Sequence, residues 1–143
     1  MPKSFTLSLP HLKENGPTCQ IVLKPSDLTI KKLKLEKKDV PSITVSALID
    51  TGASTTAVSR KVVDRLKLAP RGTAKVYTSN KDSEIRNEFD VALEFDTDAY
   101  IPILRVLEAN LQDHSIDCLI GRDVLERGVL TYNGPEKEIT LSF

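Results

Sequence analysis

The sequence predicts a mostly β, single-domain protein with one or two short helices. Three observations carry this. Apolar and polar residues alternate through most of the chain. The alternating stretches are short and are punctuated by Asn, Gly, Pro and Asp turn signals. Only one stretch has the clear apolar stripe of a helix. The 143 residues fit one domain, large enough to bury a core without disulfides.

Residues 4–9, SFTLSL, alternate and read as a strand, and ENGP at 14–17 is a turn. CQIVLK (19–24) is a second strand, closed by Pro25, and LTIKKLKL (28–35) is a third, turned back by EKKD at 36–39. SITVSALID (42–50) alternates Ile43, Val45, Ala47 and Ile49 against Thr44, Ser46 and Leu48, and both faces become apolar towards its end, as in a strand covered on both sides. In SRKVVDRLKL (59–68), Val62, Val63 and Leu66 share a helical face, Ser59 stands at the N-cap, and Pro70 limits continuation. Residues 74–95 read as two strands around a polar tip at 79–83. YIPILRVLEANL (100–111) and IDCLI (116–120) are further strands, GRDVLERG (121–128) suggests helical turns stopped by Gly128, and 129–143 is a hairpin over Asn133-Gly134.

Composition narrows the function classes. Apolar residues make up 40% and charged residues 28%, as in soluble globular proteins. Twenty basic residues balance twenty acidic ones, which leaves no overall field to draw in nucleic acid or an anionic membrane. The lysine-rich run at 31–38 reads as a solvated strand edge. The N-terminal residues hold no apolar stretch of signal-peptide length, and no segment approaches a transmembrane span. Cys19 and Cys118 are therefore expected as reduced thiols in a cytoplasmic protein. His11 and His114 are isolated, so no metal site is expected.

The chemistry-bearing feature is ALIDTGAST (47–55), where an apolar strand ends on Asp50. Gly52 lets the backbone bend, the Thr51 hydroxyl can fix the loop, and backbone N–H groups of such a turn can hold a carboxylate. The same residues also suit an ordinary turn. A second motif tips the balance: DCLIGRDVLERG (117–128), another apolar run ending in glycine and followed by a short helix.

Together LIDTGAS and LIGRDVL resemble the retroviral-type, or retropepsin-like, aspartic proteases, over about residues 28–143. The order of the motifs, the helix after the first, the hairpin between them and the closing strand all match. The resemblance implies the closed β-barrel of the acid protease fold, with residues 1–27 as an N-terminal extension read as a hairpin. It implies a catalytic Asp50 with Thr51 and Gly52, and substrate contacts from Ala53, Ser54 and the flap-tip residues Ser79, Asn80 and Lys81. Gly121, Arg122 and Asp123 become structural support beneath the loop. No cofactor or metal is implied.

Peptide hydrolysis by water needs a base and an acid, and two adjacent carboxylates sharing a proton can supply both. This chain has one Asp-Thr-Gly, so the resemblance implies a homodimer with Asp50 from each copy at a two-fold axis and Thr51 bonding across it. A peptide or protein is the implied substrate. Strand 138–143, joined by 4–9 or with 4–9 covering another sheet edge, is the expected dimer seam. The start at Met1 suggests a free-standing cellular or bacterial member.

Two departures stand out. Ser54 occupies the place of a second aspartate, so Arg122 needs a partner: a backbone carbonyl, Asp123 or Asp117. The flap tip holds no glycine, and Tyr77 beside it is either a strand aromatic or a cleft residue. Two alternatives follow: a retropepsin-like peptide-binding or dimerisation module with little protease activity, and an unrelated β-barrel whose motifs are turns.

Overall fold

The computed structural model describes residues 3–77, 82–111 and 115–143. In chain order its elements are β1 (Ser4–Ser8), α1 (Leu12–Asn15), β2 (Thr18–Pro25), α2 (Asp27–Leu35), β3 (Ile43–Ile49), β4 (Ala57–Val58) and α3 (Arg60–Arg65). They continue as β5 (Gly72–Tyr77), β6 (Ser83–Phe95), β7 (Tyr100–Glu108), β8 (Cys118–Ile120), α4 (Arg122–Leu125), β9 (Val129–Asn133) and β10 (Glu138–Ser142). A seven-stranded sheet runs β2-β3-β8-β4-β7-β6-β5, and a separate three-stranded sheet runs β1-β10-β9. β2 pairs additionally with β6, which curls the large sheet over the core, while β5 remains its outer strand.

This corrects the expected fold class. The strands are divided between two sheets, and the described residues form four helices. The architecture is a mixed α/β one rather than a single closed barrel of the acid protease type with one or two short helices. The largest change is α2, expected as a strand. Its apolar residues Leu28, Ile30, Leu33 and Leu35 do not alternate strictly, because the step from Ile30 to Leu33 is a helical one. Ile30 and Leu33 are the half-buried pair, while Leu28 and Leu35 are 70% and 79% exposed. Asp27 in the first turn and Lys32 and Lys34 in the last favour the helix through its macrodipole.

β1 and β2 do not pair with each other. β1 lies antiparallel to β10, Phe5 opposite Leu141, and β2 lies antiparallel to β3, Ile21 opposite Val45. β10 thus has β1 on one edge and β9 on the other within the same chain, and its Ile139 and Leu141 are buried in the core. Its backbone edges are already used, so the expected seam through 138–143 has no free β10 edge. The β9–β10 turn spans four residues, with Asn133 opposite Glu138 and with Lys137, not Gly134, in the left-handed region at φ 54°.

Alternation in β3 works as the sequence indicates. Ile43, Val45, Ala47 and Ile49 are buried, packed with Ile21 and Leu23 of β2 and Val91 and Leu93 of β6 in one core. The decisive pairing is parallel: Ala47, Leu48 and Ile49 of β3 lie beside Cys118, Leu119 and Ile120 of β8. The residues after these strands, Asp50 and Gly121, therefore leave the sheet side by side.

Cys19 and Cys118 flank Ala47 on its two neighbouring strands. Both are free and buried. Two strand spacings, about 9–10 Å, exceed the Cα separation a disulfide spans. Burial pushes the Cys19 thiol up to about 12 from 9.0, and burial also raises that of Cys118. Below pH 9 both folded and unfolded chains keep these thiols protonated. Above it the unfolded chain releases protons that the fold retains, so stability falls as pH rises from about 9 towards 12. Chemical denaturation across that range should show this loss, and a Cys19→Ala/Cys118→Ala variant should show a shallower one.

Candidate active site

Asp50 is held first by the sheet. Its N–H donates to the Ile120 carbonyl at 2.8 Å, extending the parallel ladder by one residue. The chain then turns sharply, with the Ala53 N–H donating to the Asp50 carbonyl at 3.2 Å. The Gly52 N–H donates to Asp50 Oδ1 at 2.9 Å, so the carboxylate is fixed by the turn that presents it. Asp50 is half-buried, Thr51, Gly52 and Ser54 are exposed, and Ala53 is half-buried without a hydroxyl to offer the carboxylate.

The second motif locks this loop from below. A Cβ on Gly121 would stand 2.7 Å from the Thr55 carbonyl carbon and 3.0 Å from the Ala53 carbonyl oxygen, so only glycine allows the approach. The Arg122 N–H donates to the Ala53 carbonyl at 2.8 Å, and Arg122 Nη1 donates to the Thr51 carbonyl at 2.6 Å. Arg122 thus uses a backbone carbonyl, one of the three partners the sequence left open. Asp123 accepts from the Thr56 N–H at 3.0 Å, the Thr56 hydroxyl at 2.7 Å and the Val124 N–H at 2.9 Å.

Thr56 is the residue the sequence reading missed. It is fully buried, and its hydroxyl donates to Asp123 while accepting from the Gly121 N–H at 3.1 Å. Its signal was present in a second threonine following Asp-Thr-Gly-Ala-Ser, but threonine suits too many strand positions to single out. Ser59 stands at the N-cap of α3 but makes no side-chain cap bond. Its hydroxyl donates instead to Asp117 Oδ1 at 2.9 Å, tying α3 to the residues before β8.

The structure therefore brings Asp50, Thr51, Gly52 and Ala53 together with Gly121, Arg122 and Asp123, while Ser54 is exposed on the same loop. Ser79, Asn80 and Lys81 lie outside the described residues, as do the other residues of 78–81 and His114. The flap-like hairpin is formed by β5 and β6, with Tyr77 opposite Ser83. Tyr77 is 73% exposed, with Lys75 Nζ 5.8 Å from its ring centroid, so it is not a packed core aromatic. Among the described residues no group of three or more His, Cys, Asp or Glu could hold a metal, and no helix is long and apolar enough to cross a membrane.

Comparison with known proteins places the chain in a family. A family model described as aspartyl protease matches residues 34–124, well over half the chain and spanning both loops. The chain belongs to this family. The fold is similar to the crystal structure of a retropepsin-like aspartic protease from Rickettsia conorii, with a TM-score of 0.50 at 13% identity, covering 89% of this chain and 93% of that one. The retroviral protease-like domain of Ddi1 from Leishmania major matches with a TM-score of 0.42 at 17% identity, covering 69% of this chain and 79% of that one. No curated protein matches the chain.

The Thr56 hydroxyl is the hinge pin between the two loops. Thr56→Val removes a donor to Asp123 and an acceptor for a buried N–H, at a cost of about 1–3 kcal/mol in urea denaturation. Thr56→Ser, which keeps the hydroxyl, should lose much less.

Proposed function

We propose that the protein is an aspartic endopeptidase that hydrolyses peptide bonds as a homodimer, with one Asp50 from each copy. The observation that supports this most is the Asp50 carboxylate itself. It is held by the Gly52 N–H on a loop locked by Gly121, Arg122 and Asp123, a rigid presentation that an ordinary turn does not need.

One carboxylate is not enough for the reaction. In the proposed pair, one Asp50 is ionised and takes a proton from a water held between the two. The water oxygen bonds to the scissile carbonyl carbon, while the protonated Asp50 gives its proton to the carbonyl oxygen. The nitrogen then takes the proton that the first Asp50 holds, the C–N bond breaks, and a hydroxyl of the diol intermediate gives its proton to the second Asp50, so the pair again shares one proton. Thr51 carries the hydrogen bond across the two-fold axis in this reading. Ala53 and Ser54 line the path of an extended peptide, which the β5–β6 hairpin covers from the other side, and Ser79, Asn80 and Lys81 are proposed as further peptide contacts. Gly121, Arg122 and Asp123 act only through the loop they support. No cofactor enters this mechanism. The two free thiols support a reducing compartment, the cytoplasm.

Purified wild type and Asp50→Asn, incubated with a mixed peptide library and read by mass spectrometry, test the proposal. Wild type should generate new termini, and Asp50→Asn should lose them by at least about a thousandfold, as expected when one member of a catalytic unit is removed. Equal cleavage by both proteins would exclude Asp50 as the catalytic group. No cleavage by either would favour the peptide-binding module.

A further inference from the structure

We propose that the groove between α2 and the α3–β5 connection is a docking site for an acidic, partly apolar peptide segment. Resting on the endopeptidase reading, this segment is the part of a protein substrate that lies away from the cleaved bond. The groove is a cavity of about 950 Å³ lined by Lys32, Lys37, Lys38, Lys67 and Arg71. Two acids share it, Asp39 and Asp90. Asp90 is taken by Arg71 at 2.8 Å, and Lys38 pairs with Glu36 at 3.0 Å. Lys37 and Lys67 have no ion-pair partner among the described residues, which leaves the groove an excess of positive charge in a chain of zero net charge.

Backbone conformation singles out the same two lysines. Lys37 and Lys67 occupy the left-handed region, at φ 56° and 54°. Each follows a helix and helps cap it, Lys37 N–H donating to the Lys34 carbonyl and Lys67 N–H to the Asp64 carbonyl. Glycine takes this position without strain, and a lysine does not. A third left-handed lysine, Lys137, does not line the groove, so the conformation alone carries no meaning. The convergence does: two strained helix ends present unpaired ammonium groups to one cavity.

The rest of the lining defines the ligand. Leu33, Pro41, Leu66 and Leu68 supply apolar surface between the cations. An unbroken row of phosphates has no group to place against Leu33, Pro41, Leu66 and Leu68, and a bilayer surface is too flat to enter a concave groove. A peptide that alternates acidic and apolar side chains satisfies both the cations and the floor. Pro41 stands just before β3 and Asp50 just after it, so the length of β3, about 23 Å, separates the groove from the carboxylate. An extended segment reaches that far with about seven residues.

The test uses full-length Asp50→Asn protein, which cannot cleave the probe, and a fluorescein-labelled peptide of alternating glutamate and leucine. Anisotropy should show saturable binding that weakens with salt. Lys37→Gly/Lys67→Gly should weaken it roughly tenfold, from the loss of two charge contacts. The same double variant should unfold at a higher temperature, because glycine relieves both left-handed residues. A folded double variant with unchanged affinity overturns the site and leaves these lysines as helix-end charges only. Absence of binding, or tighter binding to oligothymidylate or phosphatidylserine vesicles than to the peptide, also overturns it. Binding with the expected loss in the double variant, beside a wild type that cleaves nothing, overturns the endopeptidase reading while the docking site stands.

Discussion

The parallel pairing of β3 with β8 is the constraint on which the site depends. It aligns Ile49 with Ile120, so that Asp50 and Gly121 leave the sheet together. Every later contact presupposes that alignment. The Asp50 N–H reaches Ile120, Arg122 reaches the Ala53 and Thr51 carbonyls, and Thr56 reaches Asp123 across a gap only glycine at 121 permits. A parallel pair needs a long crossover, and here the segment between the strands is used fully. It carries α3, the β5–β6 hairpin and β7.

Much of this is legible in the order of the residues. The apolar runs ending in Asp-Thr-Gly and Gly-Arg-Asp marked the two strand ends, because a buried strand closing on a charged residue is uncommon without a purpose. The alternation of β3 and the Val62, Val63, Leu66 stripe of α3 were legible for the same reason: each apolar residue faces one core. The failures have physical causes as well. α2 carries no fully buried residue, so no core imposed a period, and local charge placement and the Ile30–Leu33 step decided for helix. Separation into two sheets was invisible because pairing partners such as Phe5 and Leu141 lie at opposite ends of the chain. The partner of Arg122 could not be chosen from residue types, since backbone carbonyls are present everywhere.

The fold also changes how a dimer would be built. β10 is enclosed by β1 and β9 within one chain, so copies of this protein would meet through other surfaces than the β10 edge. The proposed chemistry nonetheless requires that meeting, because a single carboxylate cannot hold and release the protons of amide hydrolysis in both directions. The basic groove lies at the far end of β3 from Asp50. In the proposed reading, a charged contact far from the carboxylate adds selectivity through a separate part of the substrate.

Subunit mixing addresses the shared-carboxylate claim most directly. Wild-type protein is held at fixed concentration and equilibrated with increasing Asp50→Asn protein before peptide cleavage is measured. If each active unit takes one Asp50 from each of two copies, the inactive chain captures wild-type partners and activity falls towards zero as its excess grows. Activity that stays constant while mixed dimers demonstrably form would mean that one Asp50 suffices, and would contradict the account.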